Sequence, residues 1–305
     1  MTLSARSFPP EEETLPAPSP TNFREAEAPR RQTRALLLDK REVAPRHFEF
    51  RLRSASIARS ARAGQFVHIL PRACESEADE SWSFDPLLRR AFSIMDIEDD
   101  EFLVLFRVEG RGTQTLARAV AGQWLDLIGP LGNGFSIEDL VPAHSALLVG
   151  GGVGVPPMVL TARELKLRGA RATMLIGART GADVLCESRF SALGATVRVA
   201  TDDGSRGRAG RVDALLLEAL ESENNPVVLA CGPYPMLRAV ARLCLEKDVP
   251  CQVSLEENMP CGIGVCNGCV VPMISAESEA GDDYGRYRRI CVNGPVCDAR
   301  EIAWT

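Results

Sequence analysis

The chain has 305 residues, 45% hydrophobic and 25% charged, and its 35 lysines and arginines against 41 aspartates and glutamates leave a formal charge of −6. That composition excludes a collagen-like or wholly disordered chain, and a net negative charge without an aromatic-basic cluster argues against a nucleic-acid partner. No run reaches the roughly 20 apolar residues that span a bilayer, and the first thirty residues lack a basic start followed by an apolar run, so no membrane attachment and a cytoplasmic location are expected.

In chain order, residues 1–32 are rich in Pro, Glu and Arg, with Pro9, Pro10, Pro16, Pro18, Pro20 and Pro29 interrupting any period, and read as a disordered tail. Residues 33–141 carry six short alternating or β-branched runs: Arg34 to Asp39, His47 to Arg53, Gln65 to Leu70, Phe92 to Ile97, Phe102 to Val108 and Gln123 to Ile128. Six strands with glycine turns predict an antiparallel barrel or sandwich, with a polar loop from Pro71 to Pro86. Near Val141 the rhythm changes. Residues 142–250 alternate strands (Ala146 to Gly150, Ala172 to Gly177, Thr196 to Ala200, Val227 to Cys231) with helices (about Pro157 to Leu167, Val212 to Leu220, Pro235 to Glu246), the pattern of a Rossmann-like parallel sheet. After Pro250 both rhythms stop, and residues 251–305 hold six of the ten cysteines. The expected fold class is therefore multidomain, β followed by α/β, with a small cysteine-built module at the end.

Three constellations carry chemistry. In the barrel, Arg90-Ala91-Phe92-Ser93 joins a cation, an aromatic and a hydroxyl within four residues: Arg90 could pair with a diphosphate, Phe92 lie near a flat ring and Ser93 bond a flavin edge. The bland alternative is a core Phe92 and a surface Arg90. Phe106-Arg107 and Gly112-Thr113 could complete the same pocket. In the α/β unit, Gly150-Gly151-Gly152-Val153-Gly154 follows a strand and precedes a helix, where backbone N–H groups can meet a pyrophosphate, and Cys231-Gly232-Pro233 closes another strand before a helix. Both could equally be tight strand-to-helix turns. Arg179 stands where a ribose-contacting acid is usually sought, which leaves NAD and NADP both open.

The third constellation is Cys261, Cys266, Cys269 and Cys291, spaced C-x4-C-x2-C with 21 residues before the last, the plant-type ferredoxin spacing for a [2Fe-2S] cluster. Gly262, Gly264 and Gly268 permit backbone N–H groups to turn inward. Structural zinc usually takes two Cys-x2-Cys knuckles, and only Cys266 and Cys269 form one; disulfides need an oxidising compartment. Cys74, Cys186, Cys244, Cys251 and Cys297 read as packing residues.

The order of these motifs resembles the ferredoxin-NADP reductase superfamily. More narrowly, Cys231-Gly-Pro-Tyr-Pro-Met236, Cys251-Gln-Val-Ser-Leu-Glu-Glu257, the cluster loop, Gly294-Pro-Val-Cys-Asp-Ala and the barrel's Gly129-Pro-Leu-Gly-Asn-Gly-Phe135 resemble the electron-transfer subunits of class 1B dihydroorotate dehydrogenases, over about residues 34–305. Ala91 stands where that family commonly has Pro, and Cys297 where it commonly has Phe. The resemblance implies that Arg90, Ala91, Phe92, Ser93, Leu105, Phe106, Arg107, Gly112 and Thr113 bind FAD, and that Cys261, Cys266, Cys269 and Cys291 bind the [2Fe-2S] cluster. Gly151, Gly152, Gly154, Cys231, Gly232 and Pro233 are the candidates for NAD. It further implies a partner, the FMN-containing catalytic subunit, in a heterotetramer with two copies of each chain. Electrons would pass from that FMN through the cluster and FAD to NAD+, in pyrimidine biosynthesis, with no acid-base role for His47, His68 or His144. Two readings compete: an NAD(P)H-oxidising reductase feeding a ferredoxin or oxygenase, and a zinc-stapled binding protein.

Overall fold

The computed structural model describes residues 31–78, 85–140, 144–274 and 286–304. The barrel strands are β1 (Arg31–Ala44) and β2 (His47–Arg53), then, after the short helix α1 (Ala55–Ala58), β3 (Phe66–Cys74), β4 (Arg90–Glu98) and β5 (Glu101–Arg107), and, after helix α2 (Arg111–Leu116), β6 (Trp124–Leu131). They close in the order β1-β2-β5-β4-β3-β6, every neighbouring pair antiparallel. Period-2 alternation places Val67 and Ile69 of β3, Ile94 of β4 and Phe102, Val104 and Phe106 of β5 inside the barrel. Two expectations need correction. Arg31 and Gln32 belong to β1, paired with Gly129 and Ile128, while the rest of the expected tail, residues 1–30, lies outside the described residues. The loop expected from Pro71 begins instead as strand, because a register shift between Ile69 and Ala73 absorbs the proline, which cannot donate to a ladder, and β3 resumes pairing at Leu125 and Trp124.

The second layer begins with β7 (Ser145–Gly151), α3 (Met158–Leu167), β8 (Arg171–Ala178), α4 (Glu187–Ala192), β9 (Thr196–Thr201) and β10 (Arg208–Ala209). It continues with α5 (Val212–Ser222), β11 (Pro226–Cys231), α6 (Tyr234–Glu246) and β12 (Cys251–Ser254). Buried Val212, Leu215, Leu216 and Ala219 on α5, and Leu237, Val240, Ala241 and Cys244 on α6, repeat at i, i+3, i+4, i+7, which is the stripe a helix needs to cover a sheet. Central β7 is buried along its whole length. The remaining elements are the hairpin strands β13 (Val270–Pro272) and β14 (Tyr287–Arg289), the turn-length helix α7 (Ile290–Asn293) and β15 (Val296–Asp298).

The expected boundary at 250 does not hold for the sheet. Its order is β10-β9-β8-β7-β11-β12-β15, so two strands from the C-terminal segment extend it: β12 pairs parallel to β11 and β15 antiparallel to β12. Strands of four and three residues are too short to show a period, which is why the rhythm stops in the sequence while the sheet continues. The six-residue helix α4 escapes the sequence for the same reason.

Helix α3 keys the layers together. Met158, Val159, Ala162 and Leu165 pack on the sheet while Leu160 reaches the barrel core. Arg163 donates through Nε and Nη2 to both oxygens of Asp96 on β4, each at 2.7 Å, and Glu164 accepts from the Ala63 N–H at 2.9 Å. Asp96 is 1% exposed. Arg163→Ala leaves that carboxylate buried without its cation, so a loss of about 3–5 kcal/mol is expected. Arg163→Lys recovers part of it, because an ammonium cannot make the two parallel bonds. Urea midpoints of the holoprotein check this; an unchanged midpoint in the alanine variant would show that the pair does not clamp the layers.

Candidate functional site

The cluster loop is built on left-handed backbone. Gly262, Gly264 and Asn267 have φ of 70°, 84° and 54°, and a Cβ at Gly264 would come 2.5 Å from Val292 Cγ2. Burial pushes the Cys261 thiol up, but the backbone N–H groups of Cys266, Ile263 and Val265 and the Cys266 thiol outweigh it and hold the group down at about 6. The loop is therefore a nest for anionic sulfur. Burial and the Cys269 thiol push Cys291 up to about 12, with Cys261 adding to the repulsion and Gly264 backbone opposing it. The Cys291 N–H donates to Cys269 Sγ and the Gly268 N–H to Cys266 Sγ, each at 3.4 Å. The thiols thus fall into two pairs, Cys261 with Cys266 and Cys269 with Cys291, and among the described residues no three His, Cys, Asp or Glu side chains converge on a single ion. Two irons with two thiolates each fit this arrangement.

The nucleotide motifs meet at the point where the sheet's order reverses. From β7 the chain runs outward through β8, β9 and β10, then returns to lay β11 on the other side of β7, with Gly150 opposite Cys231. Open α/β sheets bind ligands at such a switch, beyond the carboxyl ends of the strands. A Cβ on Gly154 would run into the Cys231 carbonyl and come 2.5 Å from the Gly232 nitrogen, and one on Gly151 would lie 2.6 Å from Met236 Sδ and 3.3 Å from Pro233 Cδ. Gly152, at φ 55°, faces open space. Burial pushes the Cys231 thiol up to about 12 against the Ser254 hydroxyl, so a neutral thiol closes β11. Arg179 is exposed at the end of β8, and there the sequence missed a partner: the N–H groups of Asp202 and Asp203, just after β9, donate to the carbonyls of Ala178 and Arg179 at 3.1 and 3.3 Å.

In the barrel, β4 and β5 are ladder neighbours, and the contacts of Phe92 with Phe106 and of Arg90 with Gly112 bring the three flavin-predicted segments together. The Arg90 guanidinium lies across buried Gly112, 2.8 Å from where a Cβ would stand, a cradle that only glycine leaves open. It donates to the Leu88 and Arg89 carbonyls at 2.6 and 3.1 Å, and among the described residues it has no carboxylate partner, which suits a cation meant for an anionic ligand. Ala91 is exposed, and Ser93 and Arg107 are half-buried, the last 3.4 Å from Glu109. Thr113 accepts from the N–H groups of Glu109 and Gly110 and so shapes the turn before α2. Phe92 differs from the expectation of a flat-ring contact: it is 7% exposed and packs on Phe106 with ring centroids 5.2 Å apart, inside the barrel. Leu105 points the other way, into the core shared with α3. A cleft of about 650 Å³ between β5 and α4, lined by residues including Glu49, Cys186, Arg189 and Arg206, takes in Leu105 alone among the residues named for cofactors.

Two distant motifs weld the cysteine segment to the barrel. The Asn133 N–H donates to the Gly294 carbonyl at 2.6 Å, and its side chain bonds the Val296 carbonyl and N–H at 2.9 and 3.0 Å. Gly132 allows Pro295 to approach, its Cβ position being 2.5 Å from Pro295 Cδ. Of the six cysteines outside the cluster spacing, Cys231 closes β11, and the other five are packing residues: Cys74, Cys244, Cys251 and Cys297 are buried and Cys186 half-buried.

A flavin-type barrel, a nucleotide sheet with its motifs at the switch point, and a paired-thiol loop seated on the barrel define an oxidoreductase of the ferredoxin-NADP reductase type. Residues 148–242 match the oxidoreductase NAD-binding domain, and residues 256–303 the iron-sulfur cluster binding domain of dihydroorotate dehydrogenase B. The dihydroorotate dehydrogenase B (NAD(+)) electron transfer subunits of Bacillus caldolyticus and Geobacillus kaustophilus are each 40% identical over 272 residues, 88% of this chain and 97% of theirs. Among solved structures, NADH-dependent reduced ferredoxin-NADP oxidoreductase, studied for flavin-based electron bifurcation, aligns with a TM-score of 0.73 at 27% identity over 88% of this chain and 90% of its own. The ferredoxin reductase of carbazole 1,9a-dioxygenase shares the fold at a TM-score of 0.59 and 22% identity, over 73% of this chain and 68% of its own. The chain belongs to the family of dihydroorotate dehydrogenase B (NAD(+)) electron transfer subunits.

Proposed function

We propose that this chain carries electrons from the FMN of a dihydroorotate-oxidising catalytic subunit to NAD+, as one half of a two-component enzyme of pyrimidine biosynthesis, with two copies of each subunit. The observation that carries this reading is the pairing of four thiols in a nest of backbone N–H groups directly against the barrel. When bound, FAD and a [2Fe-2S] cluster supply the exchange between single electrons and a hydride. Cys261 and Cys266 would hold one iron, Cys269 and Cys291 the other, while the inward N–H groups offset the sulfur charge. Arg90 would hold the FAD diphosphate over Gly112, with Ala91, Ser93 and Arg107 along the same edge and Phe92, Leu105, Phe106 and Thr113 fixing the strands and turn that shape it. Gly151, Gly152 and Gly154 with Cys231, Gly232 and Pro233 would line the NAD+ site. Ten thiols without a disulfide fit a reducing compartment, the cytoplasm.

The partner's seat follows from exposure. Cys266 is exposed, and beside it Val265 and Ile263 present apolar side chains at 76% and 40% exposure, an apolar lip around the most exposed of the four ligands. Mixing this chain with the catalytic subunit should give dihydroorotate-dependent NAD+ reduction and about one FAD per chain. Val265→Glu, which places a charge on that lip, should weaken association about tenfold or more by titration, with the visible spectrum of the isolated subunit unchanged. A folded, flavin-free and colourless complex, or turnover only when NADH drives a ferredoxin or oxygenase, would overturn the reading.

A further inference from the structure

His68 lies in β3 with Ile128 of β6 on one side and Ala91 of β4 on the other, between the flavin-predicted strand and the cluster loop. Its strand neighbours Val67 and Ile69 fill the barrel interior, so the strand's alternation turns His68 outward, as it does Phe66, which packs in the same cluster as Cys269, Cys291 and Ile290. An outward residue on a barrel is normally wet. His68 is instead 0% exposed, covered by the loop that carries the first cluster cysteine: a Cβ on Gly262 would lie 2.6 Å from its Nδ1 and 3.1 Å from its Cε1.

Both ring nitrogens are buried and, among the described residues, neither is within hydrogen-bond geometry of a partner, although the backbone of Met259 and Cys261 lies close by. A buried polar atom left unbonded costs about 1–3 kcal/mol, and a phenylalanine would fill the same space without that cost. Burial pushes the imidazole down to about 4, helped by the charges of Arg89 and Arg90, while the backbone of Met259 and Cys261 draws it back up without closing a bond. The ring nitrogens face loop backbone on either side of Pro260, where an imidazole can offer an N–H donor.

We propose that His68 is a positioning residue for electron passage between the two cofactors: with the cluster in place its N–H closes onto a carbonyl of the Met259–Cys261 stretch and fixes Cys261 at a set height over the flavin strand. This rests on the reading of the four cysteines as cluster ligands. The histidine touches no reacting atom. It acts through the loop, whose backbone N–H groups decide how much sulfur charge is stabilised, and hence on the potential of the group those sulfurs bind.

The test uses the holoprotein with its FAD and measures the cluster by dye-mediated redox titration and by electron paramagnetic resonance. The wild type must first show a reduced-cluster signal; its absence removes the cluster reading itself and is thereby told apart from failure of the present inference. His68→Phe keeps the packing and deletes the donor, and should move the one-electron equilibrium between cluster and FAD by about tenfold, about 59 mV, with altered g-values and unchanged FAD content. His68→Asn places an amide nitrogen near the Nδ1 position and should return the potential to within about twofold of wild type on the same scale. Loss of the cluster in the phenylalanine variant alone, with FAD retained and the asparagine variant loaded, supports the same role. Wild-type potential and g-values in His68→Phe, or equal loss of the cluster in both variants, would overturn it, because then only the bulk of the ring matters.

Discussion

Cys266→Ser abolishes the paramagnetic signal of the dithionite-reduced protein and lowers dihydroorotate-dependent NAD+ reduction by more than about 100-fold, beyond the 10–100-fold that loss of an outer-shell partner costs. Oxidation of dihydroorotate by the catalytic partner with an artificial dye should continue, because that chemistry sits on the other polypeptide. Cys266 is the informative ligand: it is exposed and packs against no core, whereas Cys269 and Cys291 are buried and their replacement would disturb the segment that carries β13, β14 and α7. A serine hydroxyl is a far poorer ligand than a thiolate for iron-sulfur chemistry. It also removes the Cys266 thiol from the group that holds Cys261 down at about 6, so both sulfurs of that pair become worse ligands together. Undiminished electron delivery to NAD+ in this variant would break the proposed route.

Gly154→Ala should raise the KM for NAD+ about 5- to 150-fold while FAD and cluster absorbance stay as in the wild type, the range following from the roughly 1–3 kcal/mol that one overpacked methyl costs at about 1.4 kcal/mol per tenfold. The methyl would meet the backbone of Cys231 and Gly232 rather than a side chain that could swing aside. Either β7 and β11 part at their carboxyl ends or the 152–154 turn lifts away, and both spoil the place where the two nucleotide motifs meet. The barrel and the cysteine loop are built on other strands and keep their cofactors. Stopped-flow reduction of the flavin by NADH, the reverse half-reaction, isolates the defect. A wild-type KM would mean that the Gly154 contact does not shape the NAD+ site.

How much of this was legible depended on the length over which a signal repeats. Six barrel strands, four sheet strands and three helices announced themselves because each either repeats its apolar residues at period 2 or 3.6 or, in the parallel sheet, carries a short apolar run. The four cysteines were legible for a different reason, since ligand spacing within one loop is written directly in the chain. Strands β12 and β15 were not, having four and three residues each and being recognisable only beside β11. Arg90 was found, but the placing of its guanidinium depends on Gly112, 22 positions on. Phe92 read equally well as a ring contact or as core, and only its neighbour Phe106 assigns it to the barrel interior. His68 gave no signal at all: a histidine in an alternating strand is unremarkable until the cluster loop is seen lying over it.

The sequence by itself therefore determined the parts: the cysteine loop, the glycine turn, the barrel and the alternating strands and helices, since each follows from residue types and spacing over at most a few dozen positions. Tertiary structure alone decided how those parts meet, that the cysteine segment shares the nucleotide sheet, that Asn133 fastens it to the barrel through Gly294 and Val296, and that His68 is buried under Gly262. These are contacts between segments up to some 160–190 residues apart, and no local period encodes them because they arise only when closed sheet, open sheet and loop compete for the same buried surface.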